Sequence, residues 1–334
     1  MTDPVASESL DVVAVGHALV DILSAATDEF VDAQGLVKGS MALIDGARAA
    51  DLYEQMGPAT EASGGSAANT VVGVASFGGR GAFIGRVRDD ELGRVFAHDI
   101  RAAGVRFENA PAPAGAPTGR CLILVSPDAE RTMNTFLGAA AQLHPDDISA
   151  DLVRTADVTY LEGYLFDEPD AKAAFRHAAH TAHDAGRRVA LSLSDTLCVE
   201  RHRPDFLALV EHDVDVLFAN DAEVCALYET PTLDDALRAV VRHCEVAAIT
   251  KAAAGAVVMG REEVVEVPAR PVHRVVDTTG AGDLFAAGFL VGLTRGEGLR
   301  RCGELGALAA AEVISHVGAR PERRLADLAT SRGP

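Results

Sequence analysis

Tryptophan is absent from this 334-residue chain and aromatic residues make up only 5% of it, so few flat side chains are available to sandwich a planar ligand. Cysteine is scarce as well. Cys121, Cys198, Cys225, Cys244 and Cys302 are odd in number, widely spaced and never paired as C-x-x-C, which argues against a disulfide frame or a zinc site and leaves them as buried small residues. Basic residues number 30 against 49 acidic ones, and the formal charge of -19 repels nucleic acid and anionic membrane surfaces, so neither is expected as a partner. A phosphorylated ligand is not excluded, because a helix N-terminus can hold phosphate locally through backbone N–H groups. No apolar run approaches the roughly 18 residues of a membrane span. The stretch Met1 to Asp11 carries Asp3, Glu8 and Asp11 without a basic residue, unlike a signal peptide, and a cytoplasmic location is expected.

With 48% hydrophobic residues the chain can bury a full core, and residues 1–334 are expected to form one α/β domain with an appendage. From about residue 150, β-rich runs at Ala156–Leu161, Val189–Leu193, Val214–Ala219 and Val246–Thr250 alternate with segments of helical composition. That alternation predicts a doubly wound parallel sheet with crossover helices on both faces. Ala171 to Ala185 is alanine-rich and stops at Gly186, and Asp234 to His243 follows a Thr-Leu-Asp start, as helices do. The first third differs: after a buried strand at Val12 to Val15 come Met41–Ile44, Arg120–Val125 and Arg131–Leu137, with a Pro127-Asp128 turn between the last two. These predict a small strand-built flap inserted at about 18–50 and 110–140. Between its pieces lies one α/β unit, with a helix over Ala67 to Phe77, a strand at Ala82–Ile84, and a helix carrying Leu92, Val95, Phe96 and Ile100.

The strongest chemical signal is Asp277-Thr278-Thr279-Gly280-Ala281-Gly282-Asp283, between a β-rich stretch, Val272 to Val276, and an apolar helix from about Leu284 to Leu293. Strand, glycine turn and helix is a phosphate-binding layout. Gly280 and Gly282 let the backbone approach an anion at the positive end of the helix, and Asp283 beside them can accept a hydroxyl proton during in-line attack. A glycine turn with two capping aspartates would leave a similar trace, so the heptapeptide needs company. Gly64-Gly65-Ser66-Ala67-Ala68-Asn69 supplies it: a glycine pair feeding a helix N-terminus, with two polar side chains one turn apart that can touch sugar hydroxyls.

Together the two segments resemble the ribokinase-like (PfkB carbohydrate kinase) family, Gly64 through Gly93 matching its first signature and Asp277 through Gly288 its second. The resemblance covers nearly the whole chain. It implies a Rossmann-like central sheet, the flap as a substrate lid, Mg-ATP as phosphate donor and the hydroxymethyl group of a nucleoside or sugar as acceptor. It makes Asp283 the base, the turn at Gly280, Ala281 and Gly282 the anion hole with Thr278 beside it, and Gly64, Gly65, Ser66 and Asn69 part of the acceptor site. Asp21 matches the lid-proximal aspartate that grips two hydroxyls, as a carboxylate can. Asn220 and Glu223 match the Asn-x-x-Glu element that organises Mg²⁺ mainly through water. Thr250, Lys251 and Gly255 match the strand and turn bordering ATP.

Arg131 aligns with a lid arginine that in adenosine kinase-like members swings toward the transferring phosphate; no G-x-x-x-x-G-K loop is present to do that work. Gly163 and Tyr164 align where nucleoside kinases place an aromatic against the base. These features favour the adenosine kinase-like branch, with a ribokinase- or fructokinase-like sugar kinase as the alternative, since His17 stands where nucleoside kinases more often carry Asn. A non-catalytic nucleotide or sugar sensor on the same fold is a third reading, opposed by the intact Asp283. Monovalent-cation activation and the choice between monomer and homodimer stay open. His177, His180 and His183 recur every three residues with alanines between them and predict an exposed helix stripe rather than a metal site. Gly79-x-Gly81 lacks the third glycine in register and is followed by a strand, which excludes a dinucleotide fingerprint.

Overall fold

In the strand Leu10–Val15 every side chain but Asp11 is buried, and successive residues serve opposite cores. Val12 and Ala14 join Phe83, Tyr160 and Phe218 on one face, while Val13 and Val15 join Leu161, Leu191 and Leu217 on the other. Continuous apolar strands of this kind are stable only when both faces are covered by helices. The computed structural model describes residues 9–128 and 130–330, so most of the acidic N-terminal stretch lies outside the described residues.

The strands, in chain order, are β1 (Leu10–Val15), β2 (Leu19–Ala25), β3 (Met41–Leu43), β4 (Ala59–Gly64), β5 (Gly81–Ile84), β6 (Arg106–Phe107) and β7 (Gly119–Val125). Then follow β8 (Arg131–Phe136), β9 (Ala156–Glu162), β10 (Arg188–Ser192), β11 (Val216–Asn220), β12 (Val246–Thr250), β13 (Ala256–Gly260) and β14 (Val264–Val267). Among the described residues the large sheet has the order β14-β13-β12-β11-β10-β9-β1-β5-β6. From β12 to β6 all pairings are parallel, and the β13–β14 hairpin adds two antiparallel strands at one edge. The helices Ser66–Ser76, Ala281–Thr294 and Leu299–Val313 cover one face, and Pro169–Asp184 and Thr196–His212 the other. This is the doubly wound α/β arrangement expected from the alternation.

A second sheet has the order β3-β8-β7-β2-β4. Four of its strands fall in the two expected flap segments; β4 lies outside both and corrects their boundaries. Its sequence, Ala-Thr-Glu-Ala-Ser-Gly, has no β-branched run, and it becomes a strand because β2 offers it a ladder from Ser24 with Ala59 to Leu19 with Gly64. The β-rich stretch Val272 to Val276 is a second correction, since it forms no strand. Its anchor is a bond from Val276 N–H to the Ile314 carbonyl (2.8 Å) at a helix end, and Val275 is exposed, so neither a ladder nor a core holds it as β.

The histidine stripe lies on the solvent side of the helix Pro169–Asp184. The fold brings distant carboxylates to two of them: His180 Nε2 is 3.4 Å from Asp213 and His183 Nε2 is 3.0 Å from Asp215. Among the described residues no group of three or more His, Cys, Asp or Glu side chains is arranged to hold a metal. No described helix is long and apolar enough to cross a membrane. Four of the cysteines are buried and Cys225 is half-buried.

Candidate active site

Five parallel strands end on the same opening. His17 after β1, Glu162 of β9, Ser192 of β10, Asn220 of β11 and Thr250 of β12 all line one cavity of about 650 Å³ at the carboxyl edge of the large sheet. That edge is where open α/β sheets bind ligands, because the strands stop there and the following loops splay apart. The opposite wall comes from the small sheet, whose Leu19, Met41, Leu43, Ile123 and Met133, with Leu137 just after β8, present an apolar surface around Asp21.

Gly280 caps the helix Ala281–Thr294 with φ 78°, and a Cβ there would lie 2.8 Å from the Ala319 backbone, so only glycine makes this turn. By helix geometry the N–H groups of Gly282 and Asp283 have no intrahelical carbonyl and point to the cavity end of the dipole. Gly282 has open space where a side chain would be. Asp277 organises the turn: one carboxylate oxygen accepts from Thr279 N–H (3.0 Å), the other from Gly318 N–H (2.8 Å).

Asp283 stands on the first turn of this helix. Its Oδ1 accepts from the Ser66 hydroxyl (2.6 Å) and its Oδ2 from the Asn69 amide (3.1 Å). Burial pushes its carboxyl up to about 6; the bonds from Ser66 and Asn69 pull the other way, and the Glu162 and Asp21 carboxylates add to the rise. Ser66 and Asn69 can reach it because Gly65, at φ 101°, lets the chain enter the helix Ser66–Ser76 hard against the His17 carbonyl, which a Cβ would overlap. Gly64 leaves the same kind of room for the Asp21 carboxylate. Asp21 is also pushed up to about 6 by burial, moderated by the charges of Arg320 and Arg131.

The residues expected from sequence thus line one cavity with five exceptions, of which Gly64 and Gly163 directly adjoin the lining residues Gly65 and Tyr164. Arg131 is buried outside the cavity lining, its Nη2 2.8 Å from the Asp277 carboxylate, so it ties β8 to the glycine turn. Gly255 (φ 88°) lies in the turn between β12 and β13, against the Val267–Ala269 backbone, and is not among the lining residues. Lys251, beside it, pairs with Glu266 (2.8 Å). Thr250, Thr278 and Tyr164 do line the cavity, and the Tyr164 hydroxyl donates to the Ser194 carbonyl (3.2 Å), which fixes its ring. Asn220 and Glu223 form a reciprocal cap on the helix Asp221–Tyr228, and burial, reinforced by the Asp195 and Asp221 charges, pushes Glu223 up to about 7.

Two residues here, the buried Glu162 and the half-buried Arg320, were missed in the sequence. Glu162 accepts from Ala67 N–H (2.7 Å) and lies 3.1 Å from His17 Nδ1, clamping the end of β1 to the helix that carries Ser66 and Asn69. An acid ending a buried apolar strand was the available signal. Arg320 bonds to the Asn69 amide oxygen (3.3 Å) and had no local signature.

The pfkB family carbohydrate kinase model matches residues 16–324. The chain belongs to that family. This pfkB kinase is a phosphotransferase with an alcohol group as acceptor and ATP as phosphate donor. It is 51% identical to an adenosine kinase from Sinorhizobium meliloti of known structure, with a TM-score of 0.90 over 96% of this chain and 98% of that one. A probable sugar kinase from Rhizobium etli CFN 42 is 48% identical, also with a TM-score of 0.90 and with 96% and 98% covered. The adenosine kinase of Saccharomyces cerevisiae is 29% identical over 92% of this chain and 95% of its own.

Proposed function

We propose that this kinase transfers the γ-phosphoryl group of ATP to the hydroxymethyl group of a nucleoside, with adenosine as the first acceptor to test. The observation that carries it is Asp283, buried at a helix N-terminus, held by Ser66 and Asn69, and facing Asp21 across the mouth of the apolar wall. A ribose seated on Asp21 and Asn69 directs its hydroxymethyl at Asp283, which takes the proton as the oxygen attacks. The N–H groups at Gly282 and Asp283 stabilise the charge developing on the phosphoryl oxygens. The six apolar residues of the wall formed by the small sheet and Leu137 suit a base, whereas a free sugar would leave that wall uncovered. In this reading Tyr164, which lines the cavity, meets the base, and the small sheet acts as the lid that excludes water.

Six carboxylates line the cavity (Asp21, Glu162, Asp167, Asp195, Glu223 and Asp283) against one guanidinium, Arg201. A triphosphate enters such a cavity only with its charge compensated, which fits an oxygen-liganded cation held through water by Asn220 and Glu223. Mg²⁺ bound there would neutralise the phosphates. Asp283 with the glycine turn is the catalytic centre in this reading, Arg131 supports the turn through Asp277, and Thr250 and Thr278 border ATP. We also propose a cytoplasmic monomer or homodimer that binds neither nucleic acid nor membrane, in keeping with its charge of -19.

The test is ADP release with Mg-ATP and adenosine, guanosine, inosine, cytidine, ribose or fructose. Turnover with a nucleoside and none with free sugars is the expected result; turnover with ribose or fructose alone would sink the nucleoside assignment.

A further inference from the structure

Three consecutive residues after the helix Leu299–Val313 touch three parts of the catalytic centre. Gly318 N–H donates to Asp277, Ala319 packs on Gly280, and Arg320 Nε donates to the Asn69 amide oxygen at 3.3 Å. The Arg320 side chain is 19% exposed, and its Nη1 lies 3.2 Å from Asp99, whose carboxylate also accepts from the N–H and hydroxyl of Ser63, just ahead of Gly64 and Gly65. Its Nη2 is buried with no hydrogen-bond partner among the described residues. A guanidinium held with one nitrogen unsatisfied costs stability rather than supplying it, so its contribution has to be sought in geometry.

That geometry concerns the amide of Asn69. An asparagine amide can turn over about its last torsion, and its two ends then exchange places. Turned over, Asn69 would aim an oxygen at the Asp283 carboxylate, and the base would lose a donor and gain a repulsion. We propose that Arg320 is a positioning residue for the catalytic base: by donating to Asn69 Oδ1 it holds Nδ2 on Asp283. A turned-over amide would place its NH₂ against a guanidinium, which the positive charge forbids. The proposal rests on the kinase reading above and adds a residue to it.

The charged and titratable groups facing the two carboxylates are few. Asp283 meets Ser66 and Asn69 as donors and Glu162 and Asp21 as like charges, and its charge is felt by the Tyr160 and Tyr164 phenols. Asp21 meets Arg320 and Arg131, and its charge is felt by the Cys121 thiol beside it on β7. Removing Arg320 therefore raises both carboxyl groups, directly at Asp21 and through Asn69 at Asp283, and the acid limb of kcat/KM moves to higher pH.

The experiment compares wild type, Arg320→Met, Arg320→Lys, Asn69→Ala and the Arg320→Met/Asn69→Ala double variant with adenosine and Mg-ATP. Arg320→Met is expected to lose about tenfold to a hundredfold in kcat, the worth of a hydrogen bond to a charged group. KM for ATP and the melting temperature should stay near wild type, because Asp99 keeps its bonds from Ser63. In the Asn69→Ala background the same substitution should cost no more than about twofold in kcat, since its partner is already gone. Arg320→Lys should return the acid limb toward its wild-type position by restoring the charge beside Asp21, and it carries the same measurements should the Met variant not fold. Additive losses in the double variant, an unmoved acid limb, or a fall in melting temperature that accounts for the activity lost would each overturn the proposal. A wild-type chain that binds adenosine without turning it over would remove the kinase reading and this proposal with it, whereas an active wild type with an unaffected Arg320→Met removes the proposal alone.

Discussion

Asp283 carries two opposing demands. Burial holds its carboxyl near 6, high enough to accept a proton in the transition state and low enough to be ionised at neutral pH. With Asp21 in the same range, kcat/KM is expected to fall as pH drops through about 6, which a pH–rate profile reads directly. Both groups have folded pKa values above the unfolded 3.8, so their contribution to stability is fully present below that value and is lost as pH rises through about 6. Activity and stability therefore run in opposite directions across this window. Asp283→Asn should abolish turnover by about a thousandfold or more while raising the melting temperature at pH 8 by roughly 2 °C. The amide still accepts from Asn69 and can donate to Ser66, so the site stays paired. A variant with near-normal turnover would remove Asp283 from the mechanism.

Elements reach the site through their ends. The helix Ala281–Thr294 contributes its first turn, the helix Ser66–Ser76 its first turn, and the parallel strands their last residues. What joins the small sheet to the anion-binding turn is the buried pair Arg131–Asp277, with side chains 6% and 5% exposed. Removing one member of a buried pair leaves the other uncompensated. Asp277→Ala is accordingly expected to lower stability by about 3 kcal/mol in chemical denaturation, and to lower kcat as well, since Thr279 and Gly318 lose the acceptor that shapes the turn. Unchanged stability would mean that solvent reaches Arg131 freely.

At the scale of the whole molecule, the cavity lies between two sheets of different character. The large sheet supplies carboxylates and backbone donors, and the small sheet supplies hydrocarbon. Met41 and Leu43 on its edge strand β3 are 43% and 51% exposed although they line the cavity, so a bound base would cover surface that water now reaches. Leu43→Ser should raise KM for adenosine about fivefold, the effect of roughly 1 kcal/mol of lost apolar burial, and leave KM for ATP unchanged. Equal effects on both substrates would place Leu43 outside the acceptor site.

The sequence alone determined the parts of this protein that rest on local chemistry. Alternating apolar runs and helical segments fixed a doubly wound sheet, since each element's burial pattern is written in its own residues. Gly280, Gly282 and Asp283 were legible because a glycine turn before an apolar helix suits an anion, and the second glycine-led helix start at Gly64 to Asn69 set that reading above a plain helix cap. Tertiary structure decided what depends on distant neighbours. β4 is a strand only because β2 pairs with it, and Val272 to Val276 is not one because no ladder reaches it. Arg131 meets Asp277, Glu162 reaches Ala67 across 95 residues, and Arg320 meets Asn69 across 251. A buried polar side chain takes its role from the partner the fold delivers, and no local pattern records which partner that will be.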